Sequence, residues 1–136
     1  ADFFDNYSTE QLNAIPKGFN NNLIWNIGHV IIAQQALIYK GANQKVRIPE
    51  RLFKLYAPGT KPTRNTSQED IDELKSLLTS VVDQTMEDYE QGKFETYNER
   101  MTGTGFHLTT VADAFEFNNY HEGLHLGYMM SIKRFV

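Results

Sequence analysis

The 136-residue chain reads as all-α, a four-helix bundle whose first helix is truncated or poorly represented. Three observations carry that reading. Stretches 23–40, 68–91 and 111–134 each repeat apolar residues with a helical period of about 3.6. Each follows an Asn, Ser or Thr that can cap a helix, and glycines or prolines punctuate the connections between them. Nowhere does the sequence alternate apolar and polar residues over a length that would make a strand, and there is no internal repeat.

Taken in order, residues 1–6 are short and aromatic and read as the tail of a helix that begins upstream. Ala1 stands where a starting methionine would, so residues are expected to be missing or removed before it. Ser8 and Gln11 have capping-box spacing for a brief helix that ends before Pro16. Residues 17–22 (KGFNNN) are loop, and Asn21 or Asn22 caps the first long helix, residues 23–40, with Gly41 expected at its C′ position. Leu23, Ile24, Ile27, Val30, Ile31 and Ile38 form one broad stripe on it. Trp25, His29, Ile32, Ala33 and Ala36 occupy the other side, so the helix is apolar nearly all round and belongs at the centre.

Pro49 opens a short helical piece at 50–56, and APGTKPTRN (57–65) is a loop. Ser67 with Asp70 caps helix 68–91, which ends before Gly92 and has one apolar stripe and one acidic side, an amphipathic helix with no chemistry of its own. Residues 93–107 connect it, through Gly103 and Gly105, to the last helix, 111–134, capped by Thr110 with Asp113. One face of that helix carries Ala114, Phe117, Asn118, His121, Leu124, His125, Tyr128 and Ile132. Gly123 and Gly127 each cost about 1 kcal/mol relative to alanine inside a helix, which predicts close packing of a helix or loop against them.

Length fits one domain over residues 1–136, with 40% apolar residues to build its core. A net charge of −4 argues against non-specific nucleic-acid binding, which needs a basic face. No apolar run reaches the roughly 18 residues of a membrane span. The start ADFFDNY lacks the basic region of a signal peptide, so a cytoplasmic location is expected. With no cysteine there is neither a disulfide nor a thiolate ligand, and any metal must be held by nitrogen and oxygen.

The chemistry concentrates in residues 118–128, NNYHEGLHLGY. His121 and His125 lie four apart and leave one helix face together. Imidazoles turned into a core need partners on their ring nitrogens, and a metal satisfies one on each. His29, on the second buried face of the first long helix, makes a third ligand, leaving a coordination position open. The expected cofactor is a divalent metal ion, zinc or nickel first, with iron, manganese and cobalt as alternatives.

HEGLH also fits the zincin pattern H-E-x-x-H, with Glu122 as general base. No Glu, Asp or His follows His125 to complete that site. Glu122 lies roughly 80° round the helix from the two histidines and stands as the candidate catalytic carboxylate at a metal-bound water. His107, just before the last helix, reads as a structural or solvated histidine. Trp25, Asn26, Asn118 and Tyr128 read as packing and supporting groups, with Asn118 the best placed to orient a ligand.

IWNIGHV (24–30) followed by a final helix with HEGLHLGYMM resembles the DinB/YfiT-like superfamily of metalloenzymes. The likeness extends over nearly the whole chain: an asparagine-rich lead-in, a W-x-x-x-H helix, a middle helix, then H-x-x-x-H. It implies a four-helix bundle in which one histidine of the second helix and two of the last, here His29, His121 and His125, hold a divalent metal. It also implies a homodimer, and a small-molecule substrate handled with a low-molecular-weight thiol in a transferase or isomerase reaction. From the chemistry of such a metal, a transferase or a hydrolase is the expected activity. The rival readings are a non-catalytic metal-stabilised or ligand-binding bundle and an interaction module that binds no metal.

Overall fold

A computed structural model describes residues 2–136, and Ala1, at the start of the predicted helix tail, lies outside the described residues. Two short helices come first, α1 (Asp2–Asn6) and α2 (Thr9–Asn13). Ser8 and Gln11 close the expected capping box on α2. Asn13 ties this segment to the loop before the middle helix: its Nδ2 donates to Thr66 O at 2.9 Å and its Oδ1 accepts from Thr66 N at 2.7 Å.

Asn22 caps α3 (Leu23–Gln35), accepting from Trp25 N at 2.8 Å. Nearly every residue of α3 is buried, as its all-round apolar character requires, and α6, α4 and α5 pack around it. The expected single helix 23–40 is instead two pieces. Beyond Gln35 the chain widens into a π-helical segment, Ala36–Lys40, with Gly41 N donating to Ala36 O at 3.2 Å. Gly41 is right-handed (φ −60°), so it is not the left-handed C′ residue that the sequence predicts; Asn43 (φ 57°) takes that conformation. Gly41 is small for another reason. A Cβ there would overlap the Tyr97 ring and the Leu37 carbonyl. The Tyr97 hydroxyl donates to that carbonyl at 2.9 Å.

The short helix α4 (Arg51–Tyr56) crosses α3, and α5 (Gln68–Glu90) starts on the expected Ser67 cap and stops before Gly92, whose φ is +69°. Fully buried Asp88 fastens α5 to the π segment and to Arg47 and Lys93. It accepts from Tyr39 Oη at 2.6 Å, from Arg47 Nε and Nη2 at 3.0 and 3.1 Å, and from Lys93 Nζ at 2.7 Å. Burial raises the cost of its charge, but these donors outweigh it and hold the carboxyl well below the usual range.

The connection to the last helix contains a two-residue antiparallel ladder that the sequence does not predict. Here β1 (Arg100–Met101) pairs with β2 (His107–Leu108), Arg100 opposite Leu108. Then α6 (Val111–Ile132) begins on a capping box between Thr110 and Asp113 and ends two residues short of the expected Arg134. Ala114, Asn118, Met129 and Ile132 are its buried residues; Leu124 and Tyr128, expected inward, are exposed.

Gly123 and Gly127 do not serve close packing, because a Cβ at either would meet nothing within 4 Å. The described residues are thus mostly helical, with three long helical stretches and short N-terminal ones. No helix among them is long and apolar enough to cross a membrane.

Candidate metal centre

The site begins with two asparagines at the start of α3. Asn22 fixes the helix entry, and Asn26, one turn on, donates its Nδ2 to Asn22 O at 2.8 Å and Asn21 Oδ1 at 3.0 Å. Its Oδ1 is thereby left to face α6, where His125 Nδ1 lies at 2.8 Å. A neutral ring with Nδ1–H donating to that oxygen keeps its lone pair on Nε2.

One turn further along α3, His29 is treated in the same way. Its Nδ1 lies 2.7 Å from the Tyr56 carbonyl at the end of α4, so the proton belongs on Nδ1 and the lone pair on Nε2. Gly28 makes this contact available. A Cβ at residue 28 would stand 2.6 Å from the Tyr56 ring, so only glycine lets α4 approach so closely. On its other side His29 stacks on Trp25, ring centroids 4.9 Å apart and planes 8° apart, while Trp25 Nε1 donates to Thr60 Oγ1 at 3.1 Å.

His121 completes the cluster. Its Nε2 is 3.3 Å from His29 Nε2, and one ligand nitrogen from each of His29, His121 and His125 falls within 4.8 Å of the others. Two nitrogens on a tetrahedral ion at ~2.0–2.1 Å stand about 3.3–3.4 Å apart, so this separation suits a shared cation. His121 Nδ1 is buried without a partner, as is Asn118 Oδ1. Orphaned buried polar atoms in a tertiary structure ask for an explanation, and here both belong to the histidine side of α6.

The electrostatics suit metal binding. Burial pushes the His29 ring below its ordinary pKa, with the Tyr56 carbonyl opposing. Burial and then the charge of neighbouring histidines push His121 and His125 down to about 4. All three rings are neutral at pH 7, with lone pairs free to coordinate.

Other sequence candidates fall elsewhere. Glu122 does not line the histidine cavity. Its Oε1 accepts from Asn118 Nδ2 at 2.8 Å, and it lines a separate apolar groove of about 370 Å3 between α5 and α6, floored by Val30 and Ile31. Asn118 therefore engages Glu122; the residue holding a histidine in place is Asn26. His107 is exposed and pairs with Glu99 at 3.6 Å, away from the cluster. Tyr128 is 58% exposed, its ring centroid 6.1 Å from that of His125.

His29 and His121 lie at the floor of a cavity of about 290 Å3. Ile32, Ala33 and Phe117 supply apolar walls, and Arg100, Thr102 and Thr104 of the hairpin region form a polar side. The sequence reading misses the hairpin's part in this cavity. Arg100 lies 21 residues before His121, and two paired residues leave no alternating pattern to find.

These features define a class: a helical protein in which two helices bring three neutral imidazoles together, with the geometry of a metal-binding cluster. The chain belongs to the DinB superfamily, whose family model matches residues 1–129. That match bears out the resemblance read from IWNIGHV and HEGLHLGYMM. No curated protein and no solved structure matches the chain.

Proposed function

We propose that His29, His121 and His125 hold one divalent metal ion through their Nε2 atoms, zinc or nickel foremost. On this reading the protein is a metal-dependent enzyme acting on a small molecule in the adjoining cavity. The observation that carries the proposal is the 3.3 Å approach of two Nε2 atoms whose ring is, in His29, already protonated on the far side. When bound, the ion supplies Lewis acidity, lowering the pKa of a thiol or water at a remaining coordination position.

The chain's own groups favour thiol chemistry over hydrolysis. Among the described residues lining the cavity none is an Asp or Glu, so no carboxylate stands ready to take a proton from water. A thiol is more acidic than water to begin with and is deprotonated outright on coordination, so it depends less on such a base than a bound water does. Glu122, bonded to Asn118 and lining the groove between α5 and α6, is not the proton carrier on this reading. That placement also weighs against a zincin-type protease, in which the glutamate faces the metal-bound water. Tyr56 and Asn26 hold the rings of His29 and His125 in one tautomer, and Trp25 covers the stacked face of His29.

Cobalt-loaded protein titrated with 2-mercaptoethanol tests the thiol assignment. A sulfur-to-cobalt charge-transfer band in the near ultraviolet, absent from the His121→Ala variant, is the expected result. Cobalt d–d bands that no thiol perturbs would point to a closed, non-catalytic metal site.

A further inference from the structure

The hairpin side of the histidine cavity carries a charge that the metal reading leaves unused. Arg100 is the one Lys or Arg among the described residues lining that cavity, and no acidic side chain lines it. The other arginines near carboxylates are engaged: Arg47 with Asp88, Arg51 with Glu73, Arg64 with Asp70. Arg100 makes no ion pair among the described residues, and its chain neighbour Glu99 is directed to His107. In an extended segment successive side chains point to opposite faces, which separates Glu99 from the cavity that Arg100 lines.

The hairpin is held in place around this arginine. Arg100 pairs with Leu108, a residue 3% exposed and part of the second apolar cluster. Thr102, also buried, accepts from Phe106 N at 2.9 Å and sits 3.2 Å from Thr104 Oγ1. Arg100 is exposed and its guanidinium is unpaired among the described residues. A cation without a counter-ion thus stands on a backbone held in place, at the edge of a cavity that no other charged group lines; that is the form of an anion-recognition group. The cavity volume, about 290 Å3, is at the small end of ligand sites and suits a molecule of few atoms.

We propose that the cavity takes a small organic carboxylate, with Arg100 pairing the carboxylate and the short apolar chain lying against Ile32, Ala33 and Phe117. The ligand's far end then reaches His29 and His121. As a statement about the substrate this rests on the metal-enzyme reading above; as a statement about anion binding it stands on the cavity alone. Arg100 is a specificity residue on this account, since it binds the end of the molecule away from the histidines.

The test uses chelator-treated and zinc-loaded protein at pH 7, titrated with butyrate, butan-1-ol and butylammonium while backbone amides are followed by NMR. At that pH the cluster imidazoles are neutral, so a preference for anions does not come from them. In the metal-free protein butyrate should bind about tenfold tighter than butan-1-ol, with butylammonium weakest and the shifts falling on residues 32–37 and 100–104. Arg100→Gln should remove the butyrate advantage and leave butan-1-ol unchanged, and Arg100→Lys should keep part of it. Equal binding of butyrate and butan-1-ol, a butyrate preference that survives Arg100→Gln, or shifts mapping elsewhere would each overturn the proposal. Failure of the protein to take up zinc would sink the metal reading by itself, with the butyrate comparison in the metal-free protein still deciding the role of Arg100.

Discussion

Asn26 does more at this site than its position in a helix announces. Its amide is turned by two acceptors on the preceding turn, and that orientation presents an oxygen to His125. Groups that fix a ligating imidazole typically contribute 10–100-fold to metal affinity. Asn26→Ala should therefore weaken zinc binding by about that factor, measured by competition with a chromophoric chelator, while leaving the helical circular-dichroism signal unchanged. An unchanged affinity would remove Asn26 from the site.

Protonation gives a second prediction at this scale. The ordinary histidine pKa is about 6.5, and His121 and His125 are held down to about 4 in the folded chain. Between those values the unfolded state binds more protons than the native one, so metal-free stability is full above pH ~6.5 and is lost as pH falls toward 4. The Tm of chelator-treated protein should drop between pH 6.5 and 5, before most carboxylates titrate, and a variant with both rings replaced by glutamine should keep only the smaller part of that drop that buried His29 supplies. The His121–His125 spacing and the burial of His29 are legible in the sequence because helical periodicity alone determines them. Asn26 is not distinguishable there from Asn118, since the choice depends on which acceptors turn each amide.

At the level of elements, Gly28 and α4 act together. The glycine admits the Tyr56 ring, and the same approach brings the Tyr56 carbonyl to His29. Gly28→Ala forces ring and methyl apart, an overpacking that typically costs 1–3 kcal/mol, outweighing the roughly 1 kcal/mol that alanine gains in helix propensity. The variant should melt at lower temperature and bind zinc more weakly, whereas an exposed control, Gly123→Ala, should gain stability. A Gly28→Ala protein as stable and as tight as the parent would show that α4 does not need this contact. Caps at Ser8, Asn22, Ser67 and Thr110 are readable in sequence because a cap is a contact within one turn. The π segment and the hairpin are not. Tyr97 packing on Gly41 and the placement of Leu108 in the core are tertiary contacts between distant residues.

For the whole molecule, α3 is the axis, and two different spaces flank it. One holds His29 and His121 with Arg100 across from them; the other is the groove that Glu122 lines. Because HEGLH places Glu122 beside two histidines in sequence, the sequence assigns all three residues to one site. The structure separates them, as the helical angle between Glu122 and the histidine pair allows once α3 and α5 supply different neighbours. The mostly helical fold, by contrast, follows from patterns repeated over whole helices and is legible in each of the long ones.

The central claim is that three imidazoles from two helices bind one metal ion. Elemental analysis of untagged protein, offered zinc and then desalted, tests it most directly when run beside His29→Ala and His121→Ala. About one equivalent of zinc in the parent and almost none in either variant is the expected result. No zinc in the parent, or an equivalent retained by both variants, would contradict the claim and leave the histidines as neutral groups in a helical core.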